Sequence, residues 1–169
     1  MRSPVDEQLP DGPRKRFPED IVWQKIGAWC AFQERSQQEV RDKLFGYGLS
    51  PDKVEEMIVR LLSENFLSEQ RFAIAFAGGK FRQLGWGRIR IRSALKMKRV
   101  SDACIRTALA SIDEDEYRNR LKQIIRKREK SEKEKDVRKR RWKLSAYAIS
   151  RGFESGLVSE LLGENGDDD

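Results

Sequence analysis

Apolar residues along this 169-residue chain fall at helical spacing, and the pattern returns. A shift of 51 positions lays Val40, Leu44, Leu49, Ser50, Val54 and Ile58 over Ile91, Leu95, Val100, Ser101, Ile105 and Leu109. A further shift of 53 lays the second set partly over Leu144, Phe153, Val158 and Leu162. Self-similarity at a period of about fifty residues is the mark of a stacked array, in which each unit buries its apolar face against its neighbours. In the first copy the helix signals are explicit. Ser36 and Glu39 form a capping box, Gly48 stops that helix, and Ser50-Pro51 supplies an N-cap followed by proline at the first helical position. Ser68 caps a third segment. These signals predict helices over 37–46, 51–64 and 69–83.

The stretch GWGRIRIRSALKMKR, Gly85 to Arg99, carries two periodicities. Arg88-Ile89-Arg90-Ile91-Arg92 alternates like a half-buried strand, whereas Ile91, Ala94 and Leu95 share one side of a helix. The repeat decides between them, because the segment aligned with the first helix of copy one is Arg88–Lys98. The expected fold is therefore all-α, an elongated solenoid-like array of tandem three-helix repeats with the third copy truncated. The layout runs as a disordered polar segment over 1–18, a lead-in helix over 19–35, repeat one over 36–84 and repeat two over 85–135. A truncated repeat three over 136–163 and an acidic tail over 164–169 complete it. Within the basic stretch 126–141, Glu129 and Lys133 at i,i+4 favour a continuous helix, while the density of charge equally suits a mobile linker.

Charge sharpens this picture because it is segregated. The chain has 35 basic and 28 acidic residues, a net +7. Residues 80–99 hold eight cations and no acid, and residues 118–143 hold fourteen cations against four acids, with acidic stretches between and after. Two basic blocks point to a polyanion bound along a track. There is no histidine, which excludes Ser-His and Cys-His nucleophiles, histidine acid-base chemistry and Cys/His zinc sites. The acidic runs Asp113–Glu116 and Glu55-Glu56 complement helix N-termini better than they form a Mg²⁺ site. The AGGK at Ala77–Lys80 lacks the first glycine and the final hydroxyl of a phosphate loop. Cys30 and Cys104, each among apolar neighbours, read as small buried hydrophobes in a reducing compartment. No apolar run is long enough to span a membrane and no secretory signal opens the chain. A soluble, cytoplasmic protein with no cofactor, no metal and no catalytic residue is expected.

On the helical reading, Arg88, Arg92, Lys96 and Arg99 lie within about 80° of one another beside the Ile91/Ala94/Leu95 stripe. The matching helix of copy one carries Gln37, Glu39, Arg41 and Asp42, so the fold does not need this ridge. The candidate polyanion contacts are Arg82, Arg88, Arg92, Lys96 and Arg99, with Arg126, Lys127, Arg138, Lys139, Arg140 and Arg141 behind them. Trp86, between two glycines, is a candidate for stacking on an exposed base. Packing between repeats is the alternative for Trp86, and the reading adopted for Trp23, Trp29 and Trp142. Each copy also looks like a helix-turn-helix, but a recognition helix needs donors aimed at base edges, and the second helices open Asp52-Lys53-Val54-Glu55-Glu56 and Asp102-Ala103-Cys104-Ile105, which DNA would repel. Backbone contact fits better than sequence readout.

The chain also resembles the RecX family, regulators of the RecA recombinase. The likeness runs from about Ala28 to Leu162 and rests on the Ser36/Glu39/Arg41/Leu44 helix, FLSEQRFA, GWGRIRIRSAL and the closing SRGF at Ser150–Phe153. Arg99 stands where the family usually has glycine, and Ser68-Glu69 replaces a common acidic pair. The resemblance implies tandem three-helix repeats that bind in the groove of the RecA–single-stranded DNA filament and inhibit its recombinase and ATPase activities. It transfers no catalytic residue. The expected partners are thus the RecA filament and single-stranded DNA, met by a monomer. A stand-alone helical protein that coats nucleic acid without sequence preference is the other reading.

Overall fold

The computed structural model describes residues 17–164. Among them are nine helices and no strand: α1 (Glu19–Phe32), α2 (Gln37–Gly46), α3 (Pro51–Ser63), α4 (Glu69–Leu84), α5 (Arg88–Met97), α6 (Asp102–Ala110), α7 (Glu114–Ser131), α8 (Val137–Ser150) and α9 (Ser155–Glu164). Arg88–Met97 is helical, as the repeat requires. The expected N-terminal segment up to residue 16, and the acidic tail beyond 164, lie outside the described residues. Phe17, placed by the sequence in the disordered segment, instead meets Tyr47 edge-on at 5.7 Å.

The described residues form two compact units. The first contains the chain up to Ala73 together with Lys98–Val100. Val22 and Ile26 of α1, Val40 and Leu44 of α2, and Val54, Ile58 and Leu61 of α3 are almost wholly buried together. The α2 start is closed by a reciprocal pair: the Glu39 N–H donates to Ser36 Oγ at 3.1 Å, and the Ser36 N–H donates to Glu39 Oε2 at 2.9 Å. Lys98 Nζ reaches the other oxygen of that carboxylate at 2.9 Å. Burial alone would raise the Glu39 carboxyl, but these donors outweigh it and hold it below its usual value.

The second unit contains Ile74–Met97 and the chain from Ser101 onward. Its core repeats the register of the first: Ile91, Leu95, Ile105 and Leu109, then Leu144, Ala148, Val158 and Leu162, are buried. Phe81, Tyr117 and Phe153 run through it with ring centroids 5.8 and 5.0 Å apart. The two sequence motifs GWGR and SRGF meet here. A Cβ on Gly87 would stand 2.2 Å from the carbonyl of Gly152, so the start of α5 sits directly on the α8–α9 turn. No side chain caps α5 in the usual way. The Gly87 N–H donates to Arg151 O at 2.8 Å, the Ile89 N–H to Gly152 O at 3.0 Å, and the Arg88 N–H to the Tyr117 hydroxyl at 2.9 Å. The orphan donors of a helix start are thus met by tertiary partners.

The turn that follows the first helix of each copy has a left-handed residue at equivalent positions, Gly48 at φ 85°, Arg99 at φ 59° and Gly152 at φ 96°. Copy two places an arginine where the backbone favours glycine. Beyond it, the stretch 126–141 is neither one continuous helix nor an untethered linker. Helix α7 ends at Ser131 with Glu132 extended, and α8 begins at Val137. Ion pairs Arg140–Glu129 at 2.9 Å, Lys143–Glu134 at 3.3 Å and Arg128–Glu132 at 3.4 Å brace the connection.

Candidate nucleic-acid interface

The candidate cations of the second unit divide into those the fold has already engaged and those it leaves to solvent. Arg88, expected on the ridge, belongs to the first group. Its Nη2 lies 2.9 Å from Glu114 Oε2 and 3.3 Å from Ile112 O, and its guanidinium carbon sits 4.0 Å from the centre of the Tyr117 ring. Its side chain is 21% exposed. The Tyr117 hydroxyl donates in turn to Glu154 at 2.7 Å. Burial, reinforced by that carboxylate, holds the phenol well above its usual range and keeps it a donor. Arg88 is therefore part of the joint between α5, α7 and the α8–α9 turn, which removes it from the ridge.

Arg92 remains on the exposed side of α5 with no acidic partner among the described residues, and Lys96 faces Asp102 at a loose 3.7 Å. Ile89 and Met97 are also exposed on this helix, the latter 86%. Arg99 is not on this helix, which ends at Met97, and it belongs to the first unit. Arg82, exposed near the end of α4, folds back over Gly78, where a Cβ would stand 2.7 Å from its Nη2. Trp86 is half-buried, with Arg90 at 4.2 Å and Lys80 at 5.1 Å over its ring. Its aromatic surface is thus occupied by the protein's own cations.

In the second block Arg126 and Lys127 are exposed on α7 without acidic partners among the described residues. Arg138, Lys139 and Arg141 are exposed in the first turns of α8, and Arg140 pairs with Glu129. Four cations in succession at a helix start oppose its dipole, and no acid stands in that turn. Asp136 caps the helix by accepting from the Lys139 N–H at 2.9 Å. Helix stability therefore argues against this run, and an external anion is the partner that would compensate it. Trp142, expected to pack between repeats, is instead 70% exposed, because on α8 it points away from the buried Leu144 and Ala148. Trp29 is buried beneath Arg35, and Trp23 meets Phe66 edge-on at 5.9 Å, as packing residues should.

Sequence reasoning named Lys127 but missed the cations that share a cleft with it, Arg120, Arg128 and Arg151. A cleft of about 440 Å³ between α7 and α8 is lined by Arg120, Lys127, Arg128 and Arg151 with Tyr147. Arg120 and Arg151 also donate to the carbonyls of Arg82 and Leu84 at the end of α4. The i, i+7, i+8 spacing of Arg120, Lys127 and Arg128 was the available signal. Arg106 was missed as well. In copy one, Arg41 forms a two-pronged pair with Glu55 at 2.6 and 3.1 Å. The equivalent positions in copy two hold Arg92 and Arg106, two cations.

The acidic runs are used by the fold, with Asp113 capping α7 through the Glu116 N–H at 2.9 Å and Glu114 engaging Arg88. No group of three or more potential metal ligands occurs among the described residues, and no described helix is long and apolar enough to cross a membrane.

These features define an all-helical protein of tandem three-helix units with unopposed cations on outward faces. Residues 68–109 match the family model of the second three-helix domain of RecX, and residues 114–162 that of the third. The chain belongs to the RecX family, and it is a regulatory protein of that family. It is 30% identical over 155 residues to regulatory protein RecX of Xanthomonas axonopodis pv. citri, covering 91% of this chain and 94% of the relative. It is 29% identical over 134 residues to regulatory protein RecX of Haemophilus influenzae, covering 79% and 87%. The fold matches the crystal structure of RecX from Lactobacillus salivarius with a TM-score of 0.78 at 17% identity, over 86% of this chain and 94% of that one. The matched domains group α4–α6 and α7–α9. These matches keep the sequence period and begin at α4 and α7, one helix ahead of the α5 and α8 starts of the copies read from sequence.

Proposed function

We propose that this protein restrains homologous recombination by binding the filament that RecA forms on single-stranded DNA, with the exposed cations of α5–α6 and α7–α8 facing the strand. The observation that carries this reading is the pair of cation sets that the fold leaves exposed: Arg92 and Arg106, with Lys96 only loosely paired to Asp102 at 3.7 Å, and Arg126, Lys127, Arg138, Lys139 and Arg141. Family membership supports RecA as the partner. The protein acts by occupancy, as a monomer in the cytoplasm and without a catalytic step or cofactor. By bridging neighbouring subunits along the strand it obstructs subunit addition or the geometry of ATP turnover, and acidic strips elsewhere on its surface suit basic protein partners.

The test is RecA ATP hydrolysis on single-stranded DNA. Substoichiometric protein should lower it, because one bound inhibitor affects subunits it does not touch. Arg92→Gln with Lys96→Gln should weaken filament binding and reduce the log–log salt slope by about 1.4, at roughly 0.7 per strand phosphate released. Arg88 is excluded from this variant because its loss would disturb the core joint. Inhibition seen only when naked DNA is saturated, and abolished by excess DNA, would transfer the reading to a simple coating protein.

A further inference from the structure

Helix α8 carries one feature that neither the fold nor the charge pattern requires. Trp142 is 70% exposed, the largest side chain on an outward strip that continues to Ile149, itself 44% exposed. At 100° per residue Arg138, Trp142, Ser145 and Ile149 fall on one line along the helix, and Lys139 and Arg141 flank it on either side. An exposed tryptophan exacts a solvation cost and adds nothing to a core built from Leu144 and Ala148 on the opposite side. No acidic residue occurs within α8, and none of Arg138, Lys139 and Arg141 has an ion-pair partner among the described residues.

We propose that Trp142 is a stacking platform for an unpaired nucleobase, and that Arg138, Lys139 and Arg141 hold the phosphates on either side of that base. The combination is what a single strand recognises: a flat π surface that accepts any base, set in positive potential that follows the backbone. A paired base has both faces covered by its neighbours, so the same surface discriminates against duplex. Charge complementarity selects nucleic acid over a protein groove, because an apolar partner surface would have to bury three unpaired cations beside the ring. This places the stacking role on Trp142 of α8 and withdraws it from Trp86, whose ring is already covered. The inference deepens the reading above by naming the residue that distinguishes an unpaired strand, but it can fail or stand apart from RecA.

The experiment measures binding of the whole protein to an oligodeoxythymidylate and to a blunt duplex, without RecA, by anisotropy across a salt series. Trp142→Ala should weaken single-strand binding by about 5- to 150-fold, the range of one lost base–aromatic stack. Duplex binding and the salt slope should stay unchanged, since no charge is removed. Trp142→Phe should recover part of the loss. Arg138→Gln with Arg141→Gln should instead reduce the slope by about 1.4. Intrinsic tryptophan fluorescence should be quenched by the oligonucleotide in the parent protein, and that quenching should shrink in Trp142→Phe. Because the side chain projects into solvent, the melting temperature of Trp142→Ala should match the parent, and a loss of binding accompanied by a lowered melt counts against the proposal. Unchanged single-strand affinity in Trp142→Ala overturns it. If that variant keeps DNA affinity yet no longer inhibits RecA, the strip docks on protein, and the proposal fails while the proposed function survives.

Discussion

The joint between GWGR and SRGF offers a sharp test of the fold, because a single methyl group should break it. In Gly87→Ala the new Cβ would stand 2.2 Å from the carbonyl carbon and oxygen of Gly152 and 2.4 Å from the Phe153 nitrogen. All three are backbone atoms, so no side chain can swing aside. The start of α5 must retreat by roughly 1 Å or more to reach ordinary contact distance. That movement stretches the Gly87 N–H to Arg151 O bond of 2.8 Å and the Ile89 N–H to Gly152 O bond of 3.0 Å beyond useful length. Each main-chain bond contributes about 1 kcal/mol net, and overpacking adds about 1–3 kcal/mol. The alanine returns about 0.5–1 kcal/mol by restricting the unfolded chain. The expected loss is therefore about 3 kcal/mol. The control is the same chemical change at Gly79 within α4, where nothing lies within 4 Å of the new atom, and where alanine should gain about 1 kcal/mol from helix propensity. In urea, followed by far-ultraviolet circular dichroism, the midpoints should move in opposite directions, by about 1.5 M down and 0.5 M up for a slope near 2 kcal/mol/M. A Gly87→Ala protein as stable as its parent would refute the close approach on which the α5 start depends.

Two further outcomes follow from other positions. Arg99→Gly should raise stability by about 1 kcal/mol, since a φ of 59° strains any side chain, whereas Arg99→Val should lower it, and thermal melts of the pair give the sign directly. Cys30 is buried and its thiol is pushed up to about 11 from the usual 9.0 by burial; the raised value means that its contribution to stability is complete below about 9 and is lost as pH climbs toward 11. At pH 8 an aromatic disulfide reagent should therefore modify the half-exposed Cys104 first and Cys30 only on unfolding.

Much of the fold was legible because apolar periodicity is a local property that tertiary structure then uses. Ile91 and Leu95 are buried where the repeat placed them, although the Arg-Ile alternation around them suggested a strand. The half-exposure of Cys104 was not visible, since its apolar neighbours do not all face the core. The fate of the charges was less legible for the same reason. Arg88 and Glu114 are 26 residues apart in sequence, and only the folding of α7 onto α5 brings them to 2.9 Å. Glu129 and Lys133 suggested one continuous helix, yet Glu129 pairs with Arg140 across the break. The exposure of Trp142 was within reach: its helical angle is opposite that of Leu144 and Ala148, and the expectation that tryptophan packs inward overrode it.

The three copies together separate what the fold demands from what it permits. At the buried positions the identity is apolar in every copy, Val40, Ile91 and Leu144 on the first helix and Val54, Ile105 and Val158 on the next. At the outward positions beside them the chemistry changes completely. Copy one holds Arg41 against Glu55 at 2.6 Å, copy two holds Arg92 and Arg106, and copy three holds Ser145 and Ser159. An exposed ion pair of the first kind contributes about 0–1 kcal/mol, and two serines show that no pair is needed at all. Two arginines at these positions make no ion pair with an acid among the described residues, so the fold gains nothing from them. Since the same backbone accepts an ion pair, two cations and two serines at one site, the fold does not dictate the cationic choice in copy two, and on the proposed function that choice is the part of the second unit that meets an external anion.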